Sequence, residues 1–229
     1  MRDSFPALAI TVTGTGPGLL LAHGATGSIE DNFAPVLPAL AAAHTVVAPD
    51  YPGSGNTPVA AAPLDLDELA DAVVDSAVRR GVGRFAVLGF SLGTLVAVRA
   101  AVRHPERVTA LVLTAGFARP DDHALGLLPG WRAEVPPRLH PHIDLIPSLD
   151  TTGDLAEVTA PTLVVATTAD SVVLPAGSRA LAAGIRGAQY TEIDSDHVVM
   201  VERPEEWLKP VLDFLHVLSH AEGKDGEGE

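Results

Sequence analysis

The stretch Phe85-Ala86-Val87-Leu88-Gly89-Phe90-Ser91-Leu92-Gly93-Thr94-Leu95-Val96-Ala97-Val98 constrains this chain more than any other. An apolar run breaks at Gly-Phe-Ser-Leu-Gly and resumes with helical spacing, which reads as a buried strand, a turn with a serine at its tip, and a helix. A strand joined by almost no loop to a helix packed on it needs small residues beside the turn, and Gly89 and Gly93 supply them. Ser91 is then held in a strained backbone conformation with its hydroxyl pushed out of the sheet. The helix that starts just past it aims free N–H groups and its positive dipole end at whatever the hydroxyl attacks. This reads as an anion site beside a nucleophile; a tight turn carrying an idle serine is the alternative on this stretch alone.

The rest of the chain builds outward from that unit. Leu8 to Thr13 alternates and ends in glycines, an edge strand and turn. Gly18 to Ala22 is apolar without alternation, a strand covered on both faces, and it runs into His23-Gly24-Ala25-Thr26-Gly27-Ser28. Such a glycine-rich loop delivers backbone N–H groups to the carboxyl edge of the sheet, so Ala25 N–H can face Ser91. Phe33 to Ala43 predicts a short helix, Thr45 to Ala48 a buried strand, Leu64 to Arg80 an amphipathic helix and Val108 to Thr114 another central strand. Strands alternating with helices require a parallel sheet with helices on both faces.

Residues 117–158 break the rhythm. Prolines at 120, 129, 136, 137, 141 and 147 predict an insertion over the sheet edge without long helices or strands. Its apolar residues, among them Leu128, Trp131, Ile143 and Ile146 together with Phe117 at its start, either line a pocket over Ser91 or fasten the insertion to the domain. Alternation resumes with a strand from Thr162 that ends in Asp170, a helix from Pro175 to Ala183, a strand from Gln189 to Ile193, and the loop Asp194-Ser195-Asp196-His197. A helix from Pro204 to Leu218 closes the fold. The expected organisation is therefore core 1–116, insertion 117–158, core 159–219 and a disordered acidic tail 220–229.

Composition narrows the chemistry. With 229 residues one α/β domain is expected, and no run approaches the length of a membrane span. The N-terminus lacks a signal pattern, so a cytoplasmic protein is expected. The absence of cysteine excludes disulfides and thiolate chemistry, and a net charge of −14 argues against nucleic acid and anionic membranes as partners. His140-Pro141-His142 with Asp144 imitates a metal site but reads as a solvated loop, so no metal or cofactor is expected. His23 reads as a loop organiser; His44, His104, His123, His216 and His220 read as surface residues.

Three side chains fall on loops after three different strands: Ser91, Asp170 and His197. A serine needs a base to take its proton as it attacks, an imidazole suits that task at neutral pH, and a carboxylate fixes the imidazole's tautomer. At this point the chain resembles the α/β-hydrolase fold family. The motifs that carry the likeness are His23-Gly24, Asp50-Tyr51-Pro52-Gly53-Ser54-Gly55, Gly89-Phe90-Ser91-Leu92-Gly93, Asp170 and Asp196-His197. The resemblance implies a nucleophile at Ser91, a base at His197, an orienting acid at Asp170 with Asp194 as runner-up, and oxyanion donors at the backbone N–H groups of Ala25 and Leu92. Three departures stand out: Asp196 where the family often has glycine, a small Ala25, and a short, proline-rich insertion.

The resemblance implies acyl transfer, with Ser91 attacking an ester or thioester of a small-molecule substrate, free or carrier-bound. Water as acceptor makes the protein a carboxylesterase or thioesterase; another acceptor makes it a biosynthetic acyltransferase. A lyase, a cofactor-free oxygenase using His197 as base, or a ligand receptor forms a third class. An acidic carrier would need Arg119, Arg132 and Arg138 to form a local basic patch on this acidic surface.

Overall fold

The computed structural model describes residues 5–225. Its strands are β1 (Ile10–Thr13), β2 (Gly18–Ala22), β3 (Thr45–Pro49), β4 (Phe85–Phe90), β5 (Val108–Thr114), β6 (Thr162–Thr167) and β7 (Gln189–Ile193). They form one seven-stranded sheet among the described residues, in the order β1-β3-β2-β4-β5-β6-β7. β1 pairs antiparallel with β3 and every other pairing is parallel. The unbroken apolar run of β4 is buried throughout, whereas β1 and β7, at the edges, are partly exposed.

The two-residue period of the strands sorts their side chains into two cores. Leu20, Val47, Val87, Leu111, Leu113 and Val164 face one way, against α3 (Leu66–Arg79) and α4 (Leu92–Arg103). Leu19, Leu21, Val46, Leu88, Val112 and Val165 face the other, against α1 (Ile29–Phe33), α2 (Leu37–Ala41) and the C-terminal helices. Helix α3 starts at Asp65, whose carboxylate accepts from Asp67 and Glu68 N–H. The single helix expected from Phe33 to Ala43 is instead α1 and α2. Pro35 and Pro38 cannot donate the backbone bonds one continuous helix would need, and Pro38 sits in the first turn of α2, where a helix tolerates it.

Residues 117–158 contain more helix than expected: α5 (Asp122–Glu134) and α6 (His140–Leu145), with short 3₁₀ turns around them. Pro129 lies inside α5. Its lost N–H is outweighed by the Asp121 cap, which accepts from Ala124 N–H, and by burial of Ala124 and Leu128. The chain then passes through α7 (Pro175–Gly184), α8 (Val199–Glu202) and α9 (Pro204–Asp225). Trp207 of α9 is fully buried, and its Nε1–H donates to Thr114 Oγ1 at 3.0 Å, tying the helix to β5.

Helix α9 runs on into the segment expected to be disordered from residue 220. An existing helix extends cheaply through good formers such as Ala221, Glu222 and Lys224. Residues 226–229 lie outside the described residues. Among the described residues, no helix is long and apolar enough to cross a membrane.

Candidate active site

β4 passes into α4 through Ser91 alone, which adopts φ 52° and ψ −118°. That conformation is costly for any residue with a side chain, on the order of 1–3 kcal/mol, and the surroundings hold it in place. Ser91 N–H donates to Thr114 O at 3.0 Å, and Thr94 returns both its N–H and its hydroxyl to Ser91 O. Gly93 is required by the close approach of helix and strand. A Cβ there would sit 1.9 Å from Ala22 O, a backbone atom of β2.

The loops after β6 and β7 bring two partners to this turn. His197 Nε2 lies 3.0 Å from Ser91 Oγ, and His197 Nδ1 lies 2.8 Å from Asp170 Oδ2. Asp170 is 4% exposed. It also accepts from Thr167 Oγ1, and its Oδ1 accepts from both Val172 N–H and Val173 N–H. Burial alone would raise its pKa. The hydrogen bond and charge of His197, with the donors Thr167 and Val173, outweigh burial and hold the carboxyl below its ordinary range. An ionised Asp170 leaves the proton of neutral His197 on Nδ1, so the Nε2 lone pair faces the Ser91 hydroxyl. That arrangement can withdraw a proton from an attacking serine.

The other two acids of the last loop point elsewhere. Asp194 accepts from Thr168 Oγ1, and Asp196 accepts from Ser171 N–H, Ser171 Oγ and its neighbour's His197 N–H. The Ser171 N–H bond is the main reason the Asp196 carboxyl lies below its usual range. Neither carboxylate bonds to the imidazole ring, which lies against Phe90 at 4.9 Å between centroids with the two rings tilted by 44°.

The glycine-rich loop after β2 is fastened from below. His23 is fully buried; its Nδ1–H donates to Gly24 O at 2.8 Å, and its Nε2 accepts Tyr51 N–H at 2.9 Å. Gly24 N–H goes to Asn32 Oδ1, and Thr26 N–H goes to His142 Nδ1 at 3.1 Å. Between them, Ala25 N–H has no protein acceptor among the described residues, nor has Leu92 N–H at the start of α4. Both residues line the cavity that holds Ser91. Two unsatisfied donors beside a hydroxyl can stabilise an oxyanion.

His142 departs from its reading as part of a solvated loop. It sits on α6, is 0% exposed, and Nε2–H donates to Pro52 O at 2.8 Å. Burial holds its pKa below the ordinary value, against a smaller opposing effect of the bond to Pro52. His44 is also buried rather than at the surface, hydrogen-bonded to Leu40 O; His104 is half-buried on Asp71, while His123 and His216 are exposed. The side chain of His220 lies outside the described residues. No group of three or more candidate metal ligands occurs among the described residues.

Buried histidines make stability depend on pH. Burial lowers His23 from 6.5 to about 3, with the Gly24 bond opposing and His142 adding to the shift. Between pH 6.5 and about 3 the unfolded chain therefore binds a proton that the folded chain refuses, and stability drops as pH is lowered, by roughly 1 kcal/mol per unit. His142 acts with the same sign. Denaturant midpoints measured from about pH 7 to about pH 4.5 should fall steadily; a flat profile would contradict this account.

The cavity over Ser91 has a volume of about 470 Å³. Of the residues expected to line it, Phe117, Trp131 and Ile146 do, whereas Leu128 and Ile143 are buried in the apolar core beneath. The insertion thus both lines the cavity and fastens itself to the domain. Sequence reading missed Asn32, Asp31, Ala124, Val172, Val173 and Val198 in the lining. Asn32 had a signal: it falls between Ile29 and Phe33 on the buried face of α1, where a polar side chain needs a partner. Phe117, Ala124 and Val173 also border a second cavity of about 770 Å³.

A family model described as the alpha/beta hydrolase fold matches residues 17–142, more than half of the chain. The chain belongs to the α/β-hydrolase fold family. A pyrrolizixenacetamide deacetylase from Xenorhabdus hominickii is 32% identical over 89% of this chain and 92% of its own. A pimeloyl-[acyl-carrier protein] methyl ester esterase from Neisseria meningitidis is 42% identical, over only 43% of this chain and 36% of its own. The crystal structure of a hydrolase from Pseudomonas aeruginosa superposes with a TM-score of 0.81 at 25% identity, covering 91% of this chain and 94% of that one.

Proposed function

We propose that this α/β-hydrolase cleaves small, uncharged carboxylic esters or thioesters through an acyl-enzyme on Ser91. The observation that carries the reading is the unbroken relay from Ser91 Oγ to His197 Nε2 and from His197 Nδ1 to Asp170 Oδ2. Ser91 Oγ attacks the acyl carbon while His197 Nε2 takes its proton. The carbonyl oxygen becomes an anion facing Ala25 and Leu92 N–H. Collapse expels the alkoxide or thiolate, which leaves with the proton from His197. Water then attacks the acyl-enzyme, gives its proton to the same nitrogen, and releases the acid with Ser91 restored.

The hydrolytic names of the relatives favour water over another acceptor, and so favour a hydrolase over an acyltransferase. The deacetylase relative, which spans nearly the whole chain, supports a second reading in which the bond cleaved is a small acyl amide.

Charge favours a free small molecule over a carrier-borne substrate. Among the residues lining the cavity, the acidic side chain is Asp31, which is exposed to solvent. The arginines of the insertion are engaged or in acidic company: Arg132 pairs with Asp144, Arg138 donates to Gly53 O, and Arg119 lies near Asp150. Their charge is partly offset where they stand, which weighs against docking of an acidic carrier.

Incubation with a fluorophosphonate followed by mass spectrometry tests the reading. An adduct on Ser91 is expected, and an unlabelled Ser91 in folded protein would end it. In a panel of p-nitrophenyl esters, an acyl chain ending in a carboxylate should react about five-fold more slowly than its neutral isostere. That corresponds to roughly 1 kcal/mol of screened repulsion from Asp31, and Asp31→Asn should narrow the gap.

A further inference from the structure

The loop carrying Ala25 is bonded on both flanks to side chains from different parts of the chain. On one flank Gly24 N–H donates to Asn32 of α1, at 2.9 Å; on the other, Thr26 N–H donates to His142 of α6, at 3.1 Å. Thr26 has φ 60°, a region that a β-branched residue occupies only under restraint, so this peptide does not hold its orientation by itself. Further along, Gly27 O accepts the Ser54 hydroxyl and Ile29 N–H donates to Asp50.

His142 reaches this loop from residues 117–158, which are also clamped to the loop after β3. Its Nε2–H donates to Pro52 O, and Arg138 Nη1 donates to Gly53 O at 2.6 Å. Gly53, at φ +88°, lets the Arg138 carbonyl come so near that a Cβ would sit 2.2 Å from it. Donating to Pro52 leaves Nδ1 with its lone pair, the form that Thr26 N–H requires. The imidazole is therefore set in one tautomer between two backbone groups.

We propose that His142 is a positioning residue: from the insertion it holds the peptide on the far side of Ala25 and so fixes the Ala25 N–H toward the oxyanion of the Ser91 adduct. The proposal rests on the acyl-enzyme reading of Ser91. An oxyanion donor acts on the transition state far more than on bound substrate, so misaiming it lowers kcat and leaves KM nearly unchanged.

The test compares two variants. His142→Phe keeps a ring in the buried site and removes the acceptor; His142→Asn places an amide oxygen about where Nδ1 stands. Rates on p-nitrophenyl acetate are expressed per fluorophosphonate-labelled Ser91, so unfolded protein does not count. In His142→Phe, kcat should fall by about 10- to 100-fold with KM within about two-fold, and the Ki of a trifluoromethyl ketone should rise by the same factor. His142→Asn should stay within about three-fold of wild type on each measure.

The proposal is overturned if kcat of His142→Phe stays within about three-fold of wild type, if its loss appears in KM, or if Asn performs no better than Phe. If the Phe variant does not fold, the Asn variant decides: retained kcat supports the assignment, and about a ten-fold loss at wild-type Tm overturns it. A wild type that folds yet fails to label at Ser91 removes the acyl-enzyme reading and this proposal together. With a labelled wild type, the two variants alone decide the role of His142.

Discussion

Ser91→Ala is expected to lower kcat for p-nitrophenyl acetate by about 10⁵-fold or more, while Tm moves by only a few degrees. In the acyl-enzyme reading the hydroxyl oxygen forms the new bond, so its loss should leave only whatever water attack the proposed oxyanion donors can assist. The turn itself should survive, because an alanine at this position would face the same φ of 52° and keep the N–H bond to Thr114 O. Steady-state rates and a thermal melt on the same preparation check both halves. Residual turnover above about a tenth of wild type, with Tm retained, would mean that the chemistry does not pass through this oxygen.

Asp170→Asn is expected to cost about 10⁴-fold in kcat, and the surrounding bonds say why. Oδ1 of Asp170 accepts from Val172 and Val173 N–H, both at 2.8 Å, so the amide oxygen of an asparagine must take that place. Its NH₂ then faces His197 Nδ1 and donates to it. The imidazole proton moves to Nε2, and the nitrogen beside Ser91 can no longer accept. Asp196→Asn, one residue from the same histidine, should stay within about three-fold of wild type, since its bonds go to the Ser171 segment and its own main chain. A large loss in Asp196→Asn with a small one in Asp170→Asn, read from kcat over a range of pH, would reverse the assignment of the acid.

The features that were legible in the sequence are those encoded locally. Gly89 and Gly93 two residues either side of Ser91 announce a turn with no room for side chains, and the close approach of Gly93 to Ala22 O gives the reason. Unbroken apolar runs such as Leu19 to Ala22 announce strands covered on both faces, and their bounds agree closely with the strands of the fold. What failed locally was the proline rule: it treats Pro129 as a breaker, whereas capping by Asp121 and burial of Leu128 decide the outcome for α5. What failed globally was His142. Its acceptor role depends on Thr26, 116 positions earlier, and nothing in His-Pro-His spacing signals a partner so far along the chain. Leu128 and Ile143 illustrate the same gap, since an apolar side chain in an insertion does not reveal which of two apolar surfaces it meets.

The clamp between residues 117–158 and the loops at 24–29 and 50–58 bears on how the scaffold can be re-engineered. Trp131 and Ile146 from that segment line the cavity over Ser91, while His142 and Arg138 from the same segment bond to the backbone of the neighbouring loops. Grafting a foreign cap onto this core would therefore exchange selectivity and turnover as one inherited package. A donor cap lacking an acceptor for Thr26 would arrive with its own handicap, however well its walls suited the new ligand.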